Sequence, residues 1–441
     1  MKDLSTFLLN GPYQGYSYSY PHKSAYRAFD PKPLLKDVWQ KENKSNLFLY
    51  LHIPFCEMRC GFCNLFTMAN PNPEMGNPYL PALERQIKVS RAALGENAKF
   101  ARLAIGGGTP TFLEPEELNV VFDLLKREMG LGEISIPASM EVSPKTVTRE
   151  KLQLMKENGI NRVSIGVQSF FQNETKQIGR PQKKEEVENA LDLLREVNFS
   201  VLNMDFIYGG GEQTAESWIA SLKRALDWKP EEIFMYPLYV RSLTGLAKQS
   251  GKGQGDDRLD LYRRGRDFLL NNGYEQVTMR IFRRLDLKTV EGPAYNSPED
   301  GMLGLGVGAR SYTKELHYSS DYAVGRKGVK QIIQHYNEQE AQYFEHIHMG
   351  VRLSAEEQRR RYVIKSLLEG EHLQLRNYAS FFGSKVFYDL PDLMQLLDLG
   401  LVDEGPGVIG LNEKGLEQSD AIGPWLYSER VDSEMNKYEL T

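Results

Sequence analysis

The chain has 441 residues, and its 54 basic and 59 acidic residues give a net charge of −5. This balance provides no electrostatic case for binding nucleic acid, and no run of about 20 apolar residues is present to span a bilayer. The first residues lack the long apolar core of a signal peptide, so we expect a cytoplasmic protein that binds neither nucleic acid nor membrane. The length predicts one core of ordinary size and an accessory domain.

Strand and helix patterns alternate from residue 47 to residue 239. The run at 47–53 is almost continuously apolar, which is typical of a strand buried on both faces. The predicted strands are 47–53, 101–105, 139–142, 162–167, 201–208 and 232–239. The predicted helices between them are 80–94, 116–129, 150–158, 185–197 and 215–228. Six strands joined by helices predict an α/β fold with a parallel sheet. A closed barrel of this kind has eight strands, so we expect an open, partial (β/α)6 TIM-like barrel.

The pattern changes after about residue 350. Ser354 and Glu357 are spaced as a capping box that opens a helix through Leu368. Further helices are predicted near 376–382 and 390–399, followed by a hairpin with a Gly/Pro turn at 400–411. These elements predict a helical, winged-helix-like cap over the barrel mouth. The expected division is an N-terminal segment at 1–45, the barrel and its extension at 46–350, and the cap at 351–441.

The three cysteines of the chain lie within eight residues, at Cys56, Cys60 and Cys63. Their spacing is C-x3-C-x2-C. Three thiolates are one ligand too few for a closed four-thiolate iron–sulfur cluster, so a [4Fe–4S] cluster held here would keep one iron open to a small molecule. An odd count in a long chain argues against a disulfide framework. A Cys3His zinc site that includes His52 is the alternative.

Small and polar residues stand at the ends of the predicted strands. Three glycines at 106–108 follow the second strand, where the missing side chains permit a ligand to approach closely. Glu141 lies near the end of the third strand, Gln168 follows the fourth and Asp205 lies in the fifth. Arg180 is suited to bidentate pairing with a carboxylate. Convergence of these groups on one barrel mouth would supply acceptors for ribose hydroxyls and an ammonium group.

Several motifs together resemble a known family. They are the residues 52–56 that lead into the cysteines, 106–111, 164–170, 179–180, 204–209 with 213–214, 303–309 and 359–367. They look like radical S-adenosylmethionine (SAM) enzymes. Within that superfamily the chain is similar to the oxygen-independent coproporphyrinogen III oxidase family, and the resemblance covers nearly the whole sequence.

The resemblance implies a cofactor set and a reaction. Cys56, Cys60 and Cys63 would ligate [4Fe–4S], and SAM would occupy the open iron. The implied chemistry is one-electron cleavage of SAM and removal of hydrogen from a small-molecule substrate by a 5′-deoxyadenosyl radical, with flavodoxin or ferredoxin as the reductant. Some members hold a second SAM and transfer methyl groups. The positions that match SAM contacts in the family are Tyr50, Phe62, Gly107, Gly108, Thr109, Glu141, Gln168, Arg180 and Asp205.

Four departures from the family pattern concern the substrate side. Leu65 stands where the oxidases carry a further cysteine, and glycines at 210–211 replace a Leu-Pro pair. Arg280 and Ile281 replace an Asp-His pair, and the residues at 295–296 do not match the motif of the haem-chaperone branch. We therefore expect a divergent radical SAM enzyme with a different substrate, an oxidoreductase or methyltransferase. Arg280 is expected to pair with a carboxylate of that substrate.

Two alternatives remain at this stage. The chain would be a genuine coproporphyrinogen III dehydrogenase if the family's reaction tolerates the four changes. It would be a haem-binding chaperone or haem-transfer protein if the cluster is kept but haem is delivered. For the second alternative the candidate axial ligands are His22, His317, His335, His346, His348 and His372.

Overall fold

The computed structural model describes residues 2–132, 134–240, 246, 256–287, 292–323 and 325–438. Among these residues, no helix has the length and apolar character needed to cross a membrane. The strands, in chain order, are β1 (Arg27–Ala28), β2 (Leu47–Ile53), β3 (Phe55–Cys56), β4 (Met68–Ala69), β5 (Phe100–Gly107), β6 (Ala138–Val142), β7 (Arg162–Gln168), β8 (Val201–Tyr208), β9 (Glu232–Pro237), β10 (Tyr274–Gln276), β11 (Ile281–Arg284), β12 (Met302–Leu305), β13 (Arg310–Tyr312), β14 (Leu316–Ser319), β15 (Met349–Arg352), β16 (Leu373–Gln374), β17 (Val402–Gly405) and β18 (Val408–Leu411).

The helices connect these strands and cover the sheet. They are α1 (Leu4–Leu8), α2 (Leu35–Gln40), α3 (Pro73–Gly76), α4 (Tyr79–Leu94), α5 (Pro115–Arg127), α6 (Arg149–Glu157), α7 (Gln172–Gln177), α8 (Lys184–Val197), α9 (Ala215–Ala225), α10 (Arg258–Leu270), α11 (Arg326–Asn337), α12 (Ala341–Phe344), α13 (Ala355–Leu368), α14 (Leu375–Phe382), α15 (Val386–Asp389), α16 (Met394–Asp398), α17 (Glu413–Glu417), α18 (Ser419–Trp425) and α19 (Glu429–Asn436).

The six predicted strands form one parallel sheet in the order β2-β5-β6-β7-β8-β9. This confirms the α/β architecture. A seventh parallel strand, β12, pairs with β2 and was not predicted. Antiparallel strands then extend both sides, and the hydrogen-bonded order runs from β1 at one edge to β10 at the other. Within the described residues these two edges do not pair, as expected for an open barrel.

The connecting helices form where the sequence has an apolar stripe preceded by helix-capping residues. Helix α5 has proline at its first position, and Glu114 and Glu117 form a reciprocal capping box. Its buried face includes Leu118 and, three and four residues later, Val121 and Phe122, which lie on the same side of the helix. The helix therefore packs against the sheet and leaves the strand ends free to carry the site.

The C-terminal elements differ from their predictions in two details. Ser354 caps α13 by accepting the N–H of Glu357, but the expected return bond from Glu357 is absent from the described contacts. The Glu357 carboxylate instead accepts from the hydroxyls of Tyr20 and Ser428. The predicted helix at 390–399 begins as a 3₁₀ turn, Pro391–Leu393, and continues as α16. The hairpin forms as β17 and β18, with β16 added beside it.

Two large hydrophobic clusters divide the described residues. The first lies between the barrel sheet and its helices and includes Leu35 and Trp39. The second lies in the C-terminal elements and includes Leu4 and Tyr20 from the start of the chain. Residues of the N-terminal segment thus pack in both clusters, so this segment contacts both the barrel and the C-terminal elements. The division into domains at residues 45 and 350 stays a prediction.

Candidate active site

A cavity of about 480 Å³ lies at the carboxyl ends of the parallel strands. Of the twelve residues expected to bind the cluster or SAM, eleven line it, and Tyr50 does not. The eleven are Cys56, Cys60, Phe62, Cys63, Gly107, Gly108, Thr109, Glu141, Gln168, Arg180 and Asp205. The parallel topology brings these residues together because they lie near the carboxyl ends of β2, β5, β6, β7 and β8 or in the loops that follow these strands.

The cysteine loop leaves β2 through the short strand β3 and presents three free thiols to the cavity. Burial raises the pKa of Cys56 to about 12. Burial also raises the pKa of Cys60, although the nearby Arg180 guanidinium opposes that shift. The thiols of Cys56 and Cys60 therefore favour the protonated form, and binding of iron would displace their protons.

The glycines at 106–108 permit close packing of β5 against the cysteine loop. A Cβ on Gly108 would lie 2.5 Å from the Phe55 carbonyl oxygen and 3.0 Å from Cys56 Sγ. A Cβ on Gly107, whose φ is +110°, would lie 2.5 Å from the His52 ring. The amide of Gly108 donates to the Ile53 carbonyl oxygen at 2.7 Å. Side chains here would push the strand end and the thiols apart.

A second glycine contact positions the loop and was missed by sequence reasoning. The Gly61 amide donates to the Gly179 carbonyl oxygen at 3.1 Å, and a Cβ on Gly61 would lie 3.0 Å from Gly179 Cα. This contact brings Arg180 to the loop, where Nη1 donates to Cys60 Sγ at 3.3 Å and Nη2 donates to the Gly166 carbonyl oxygen at 3.1 Å. The Gly179-Arg180 pair was the available signal.

Gln168 enters the cavity through an irregularity at the end of β7. The register between β7 and β8 shifts between Gly166 and Gln168, and Gln168 has a φ of +65°. A non-glycine residue in this region of backbone space is uncommon and is often retained at functional positions. A Cβ on Gly166 would lie 2.5 Å from Gln168 Nε2, so the small residue makes room for the amide.

Two carboxylates face the cavity from neighbouring strands. Asp205 accepts from the Asn203 amide at 2.7 Å and from the Ser164 hydroxyl at 3.2 Å. Glu141 accepts from the Gly107 amide at 3.2 Å and is open to the cavity. Desolvation inside the cavity, reinforced by the charge of Asp205, raises the pKa of Glu141 to about 7. Burial raises the pKa of Asp205 to about 6.

His52 and Tyr50 lie beside the cavity and hold the elements around it in place. The Tyr50 hydroxyl is 3.1 Å from His52 Nδ1, and His52 Nε2 donates to the Phe66 carbonyl oxygen at 2.9 Å. Both ring nitrogens have hydrogen-bond partners and His52 does not line the cavity, so the geometry gives no support to the alternative of a zinc site with His52 as the fourth ligand. Tyr50 acts on this imidazole and is not part of the cavity wall.

The expectation that Arg280 binds a substrate carboxylate is also wrong. Arg280 is 5% exposed and forms an ion pair with the equally buried Asp420 of α18. The Tyr239 hydroxyl donates to the same carboxylate at 2.5 Å, and the Tyr16 ring covers the guanidinium at 3.8 Å. The charge of Arg280 is therefore neutralised inside the protein. The partner Asp420 lies 140 residues away in the sequence, so local sequence does not reveal the pair.

The candidate haem ligands do not meet at the cysteine cavity. His335, His346 and His348 line a separate cavity of about 80 Å³. His317 is buried, and burial lowers its pKa well below the usual value. His22 contacts Tyr18 at 3.0 Å. Among the residues that the structure describes, no histidine lines the wall that carries the thiols.

The cavity wall also contains residues that sequence reasoning did not name. Tyr16 and Tyr18 come from the N-terminal segment, Tyr236 and Tyr239 from the end of β9, and Arg310 from β13. The alternation of tyrosine and serine at 16–20 was the available signal for the first pair. Arg310 follows the glycine-rich segment 303–309 directly, but nothing local marks it as a cavity residue.

The donor set suits an iron–sulfur cluster. Three thiols line one cavity, and the 441 residues hold no fourth cysteine to complete a closed site. In the described part of the chain, no group of three or more His, Cys, Asp or Glu side chains is arranged to hold a single metal ion. In a cluster each thiolate binds its own iron, so a common point of coordination is not required.

Comparison with known proteins agrees with this chemistry. A model of the radical SAM superfamily matches residues 50–225. The oxygen-independent coproporphyrinogen III oxidase of Escherichia coli K12 is 30% identical over 431 residues, covering 92% of this chain and 90% of that protein. The haem chaperone HemW of Bacillus subtilis is 28% identical over 333 residues, covering 72% and 86%. The solved structure of the E. coli oxidase, HemN, has a TM-score of 0.76 at 24% identity, covers 94% of this chain and 97% of that one, and shows the fold. The chain therefore belongs to the oxygen-independent coproporphyrinogen III oxidase family of radical SAM enzymes.

Proposed function

We propose that this radical SAM enzyme holds a [4Fe–4S] cluster on Cys56, Cys60 and Cys63 and acts on a substrate other than coproporphyrinogen III. Membership of the superfamily implies the cluster and SAM. When bound, these groups supply one-electron cleavage of SAM and a 5′-deoxyadenosyl radical that removes hydrogen from the substrate. The observation that carries the proposal is that the chain's only thiols share one cavity with the polar strand ends.

The strand-end residues offer the contacts that SAM requires. Glu141 uses one described hydrogen bond and keeps acceptor capacity for an ammonium group or a ribose hydroxyl. Asp205 is oriented by Asn203 and Ser164 before any ligand arrives. Arg180 holds a guanidinium beside Cys60, where it can donate to a ligand carboxylate. These assignments form one binding face along β6, β7 and β8.

The substrate side of the same cavity supports a substrate different from that of the oxidases. Leu65 lines the cavity and is 46% exposed, so an apolar side chain stands at the position of the oxidases' further cysteine. Leucine has no acid–base or redox capacity. Arg280, at the position of a polar pair, is withdrawn into the ion pair with Asp420.

The test is an anaerobic assay of the reconstituted protein with dithionite and SAM. We expect 5′-deoxyadenosine and methionine from the wild type and none from Cys60→Ala or from the nearly isosteric Cys60→Ser. The serine variant separates loss of the thiolate from loss of volume. Product formation by either variant at the wild-type rate would overturn the ligand assignment.

The substrate part of the proposal is tested in the same assay with coproporphyrinogen III added. We expect no protoporphyrinogen IX. Its formation over many turnovers would show that the chain is a genuine coproporphyrinogen III dehydrogenase. Equilibrium dialysis gives the number of SAM molecules bound, and release of S-adenosylhomocysteine in the assay would identify methyl transfer.

Haem transfer is the second candidate, because the chain is 28% identical to a haem chaperone over 72% of its length. A haem titration followed by the Soret band tests it. Stoichiometric haem binding by the wild type that is lost in a His346→Ala, His348→Ala double variant would favour this function. The separation of these histidines from the thiols favours the radical enzyme.

A further inference from the structure

Arg310 is placed in the cavity by the glycine-rich hairpin between β12 and β13. Gly306 and Gly308 have φ values of +88° and +92°. A Cβ on Gly306 would lie 2.4 Å from the His52 carbonyl oxygen, and one on Gly308 would lie 2.6 Å from the Phe66 ring. The hairpin therefore packs directly against both ends of the cysteine loop. Arg310, the first residue of β13, reaches the cavity as a result.

The guanidinium of Arg310 has neutral partners. Nη1 donates to the Ser19 hydroxyl at 3.0 Å, and the Tyr18 and Tyr312 ring centroids lie 4.7 and 5.9 Å away. Among the described residues, no Asp or Glu oxygen comes within the 4.0 Å of an ion pair with it. Arg310 is partly exposed and lies in the cavity wall, so an anionic ligand in the cavity would meet a guanidinium whose charge no carboxylate of the described residues balances.

Arg280 shows what the same arrangement looks like when it is satisfied within the protein. It also lies against a tyrosine ring, that of Tyr16, but its charge is balanced by the buried carboxylate of Asp420. The other arginine of the cavity wall, Arg180, already donates to Cys60 Sγ and to a backbone carbonyl. Arg310 differs from Arg180 because its one described hydrogen bond goes to a neutral hydroxyl, that of Ser19, and Arg180 is already assigned to SAM.

The position of Arg310 in the sheet separates it from the two carboxylates assigned to SAM. In the sheet, β12 and β2 lie between β13 and β5, and the carboxylates of Glu141 and Asp205 lie further on, at β6 and β8. The Tyr18 ring lies beside Arg310, and Tyr16 and Leu65 line the same cavity. An anion on this side is remote in the sheet from both carboxylates.

We propose that Arg310 binds a single carboxylate or phosphate group of the substrate, whose remaining part packs on the tyrosines of the cavity wall. This inference rests on the proposed function, since it assigns a role to a residue of that same cavity. It makes Arg310 the residue that selects a substrate with one acidic group, and it makes Tyr16 and Tyr18 the surface that holds the organic part.

The first test compares the thermal stability of Arg310→Met and Arg280→Met, with cluster reconstituted and no substrate. Methionine fills much of the same space without charge. We expect Arg310→Met to keep or raise the midpoint of unfolding, because it removes an unbalanced charge, and Arg280→Met to lower it, because Asp420 is left unpaired. An equal loss in both variants would show that Arg310 has only a structural role and would overturn the proposal.

The second test measures binding of benzoate and inorganic phosphate to the reconstituted enzyme in the presence of SAM, by isothermal titration calorimetry. Benzamide is the uncharged control for benzoate. We expect the wild type to bind one of the two anions at least tenfold more tightly than benzamide, Arg310→Met to lose that preference, and Arg310→Lys to keep part of it. Preference for benzoate identifies a carboxylate and preference for phosphate a phosphate ester. Absence of any preference in the wild type would overturn the proposal.

The SAM affinity of the same variants separates this proposal from the function on which it rests. We expect Arg310→Met to bind SAM as the wild type does. Loss of SAM binding would place Arg310 on the SAM carboxylate and overturn the substrate assignment. Failure of the wild type to cleave SAM would overturn the proposed function, while the anion preference would still decide whether Arg310 is a binding residue.

Discussion

Two carboxyl groups of the cavity wall, those of Glu141 and Asp205, have raised pKa values and change charge near neutral pH. Burial raises the pKa of Glu141 to about 7 and that of Asp205 to about 6. Both groups are ionised at pH 8 and become neutral as the pH falls toward 5. A neutral carboxyl group attracts an ammonium group only weakly, so the proposed site should bind SAM less tightly at low pH.

The first prediction concerns SAM affinity. We expect the affinity of the wild type to fall as the pH is lowered from 8 to 5.5. Glu141→Gln should bind more weakly at pH 8 and depend less on pH, because one titrating group is gone. Equilibrium dialysis across this range measures both effects. An identical pH profile in the two proteins would remove Glu141 from the SAM site.

The second prediction concerns the stability of the ligand-free protein. Each carboxyl pKa is higher in the folded than in the unfolded chain, so the folded state binds more protons between about pH 4 and 7. The contribution of these two groups to the stability of the folded state is fully present below about pH 4 and is lost as the pH rises through about 6 and 7. Glu141→Gln should therefore be more stable than the wild type at pH 8, with the difference shrinking at pH 5. Urea unfolding at the two pH values tests this sign.

At the scale of elements, the end of β5 fixes the cysteine loop. We predict that Gly108→Ala loses most of its iron after reconstitution, because the new Cβ would meet the Phe55 carbonyl oxygen at 2.5 Å and Cys56 Sγ at 3.0 Å. Gly76→Ala is the matched control, since a Cβ there meets nothing within 4 Å. The measurement is iron per chain. Full iron content in Gly108→Ala would show that the close packing is not required.

The elements that could be predicted from sequence are those with a local signal. The strands at 47–53 and 201–208 match the structure at both ends, because an apolar run buried on both faces needs no information from elsewhere. Strand β12 was missed because it is short and glycine-containing, and its pairing with β2 joins residues about 250 positions apart. Arg280 was misassigned for the same reason, since its partner Asp420 is distant in the chain.

The residues of the candidate site were likewise predictable only where they carry a local sequence signal. The cysteine triplet and the strand-end residues Glu141, Gln168 and Asp205 carry motif or topological signals, and the structure brings them to one cavity. Arg310 and Tyr236 carry none. Their presence in the wall depends on how the hairpin β12–β13 and the end of β9 pack, which the local sequence does not specify.

At the scale of the whole molecule, ion pairs connect the barrel to the C-terminal elements. Arg280 of the barrel extension pairs with Asp420 of α18, and Arg263 and Arg266 of α10 pair with Glu417 of α17. The Arg280 pair is the more deeply buried on both sides. It lies behind Tyr16 and Tyr239 of the cavity wall, so the C-terminal elements support the wall from outside.

The prediction at this scale is that Asp420→Asn lowers the free energy of unfolding by about 3–5 kcal/mol, because it leaves a buried guanidinium without its counter-charge. Glu413→Gln is the control. Glu413 also pairs with an arginine, Arg266, but its side chain is 67% exposed, so we expect a change of about 0.5 kcal/mol or less. Equal effects of the two changes in urea unfolding would mean that the buried pair adds little.

The central claim is that three cysteines hold a cluster with one iron open to SAM. The most direct measurement is the electron paramagnetic resonance spectrum of the reduced, anaerobically reconstituted protein before and after addition of SAM. We expect a [4Fe–4S]⁺ signal whose g values change when SAM is added, and no such signal in Cys60→Ser. A wild-type signal that SAM leaves unchanged, or an intact signal in the serine variant, would contradict the account.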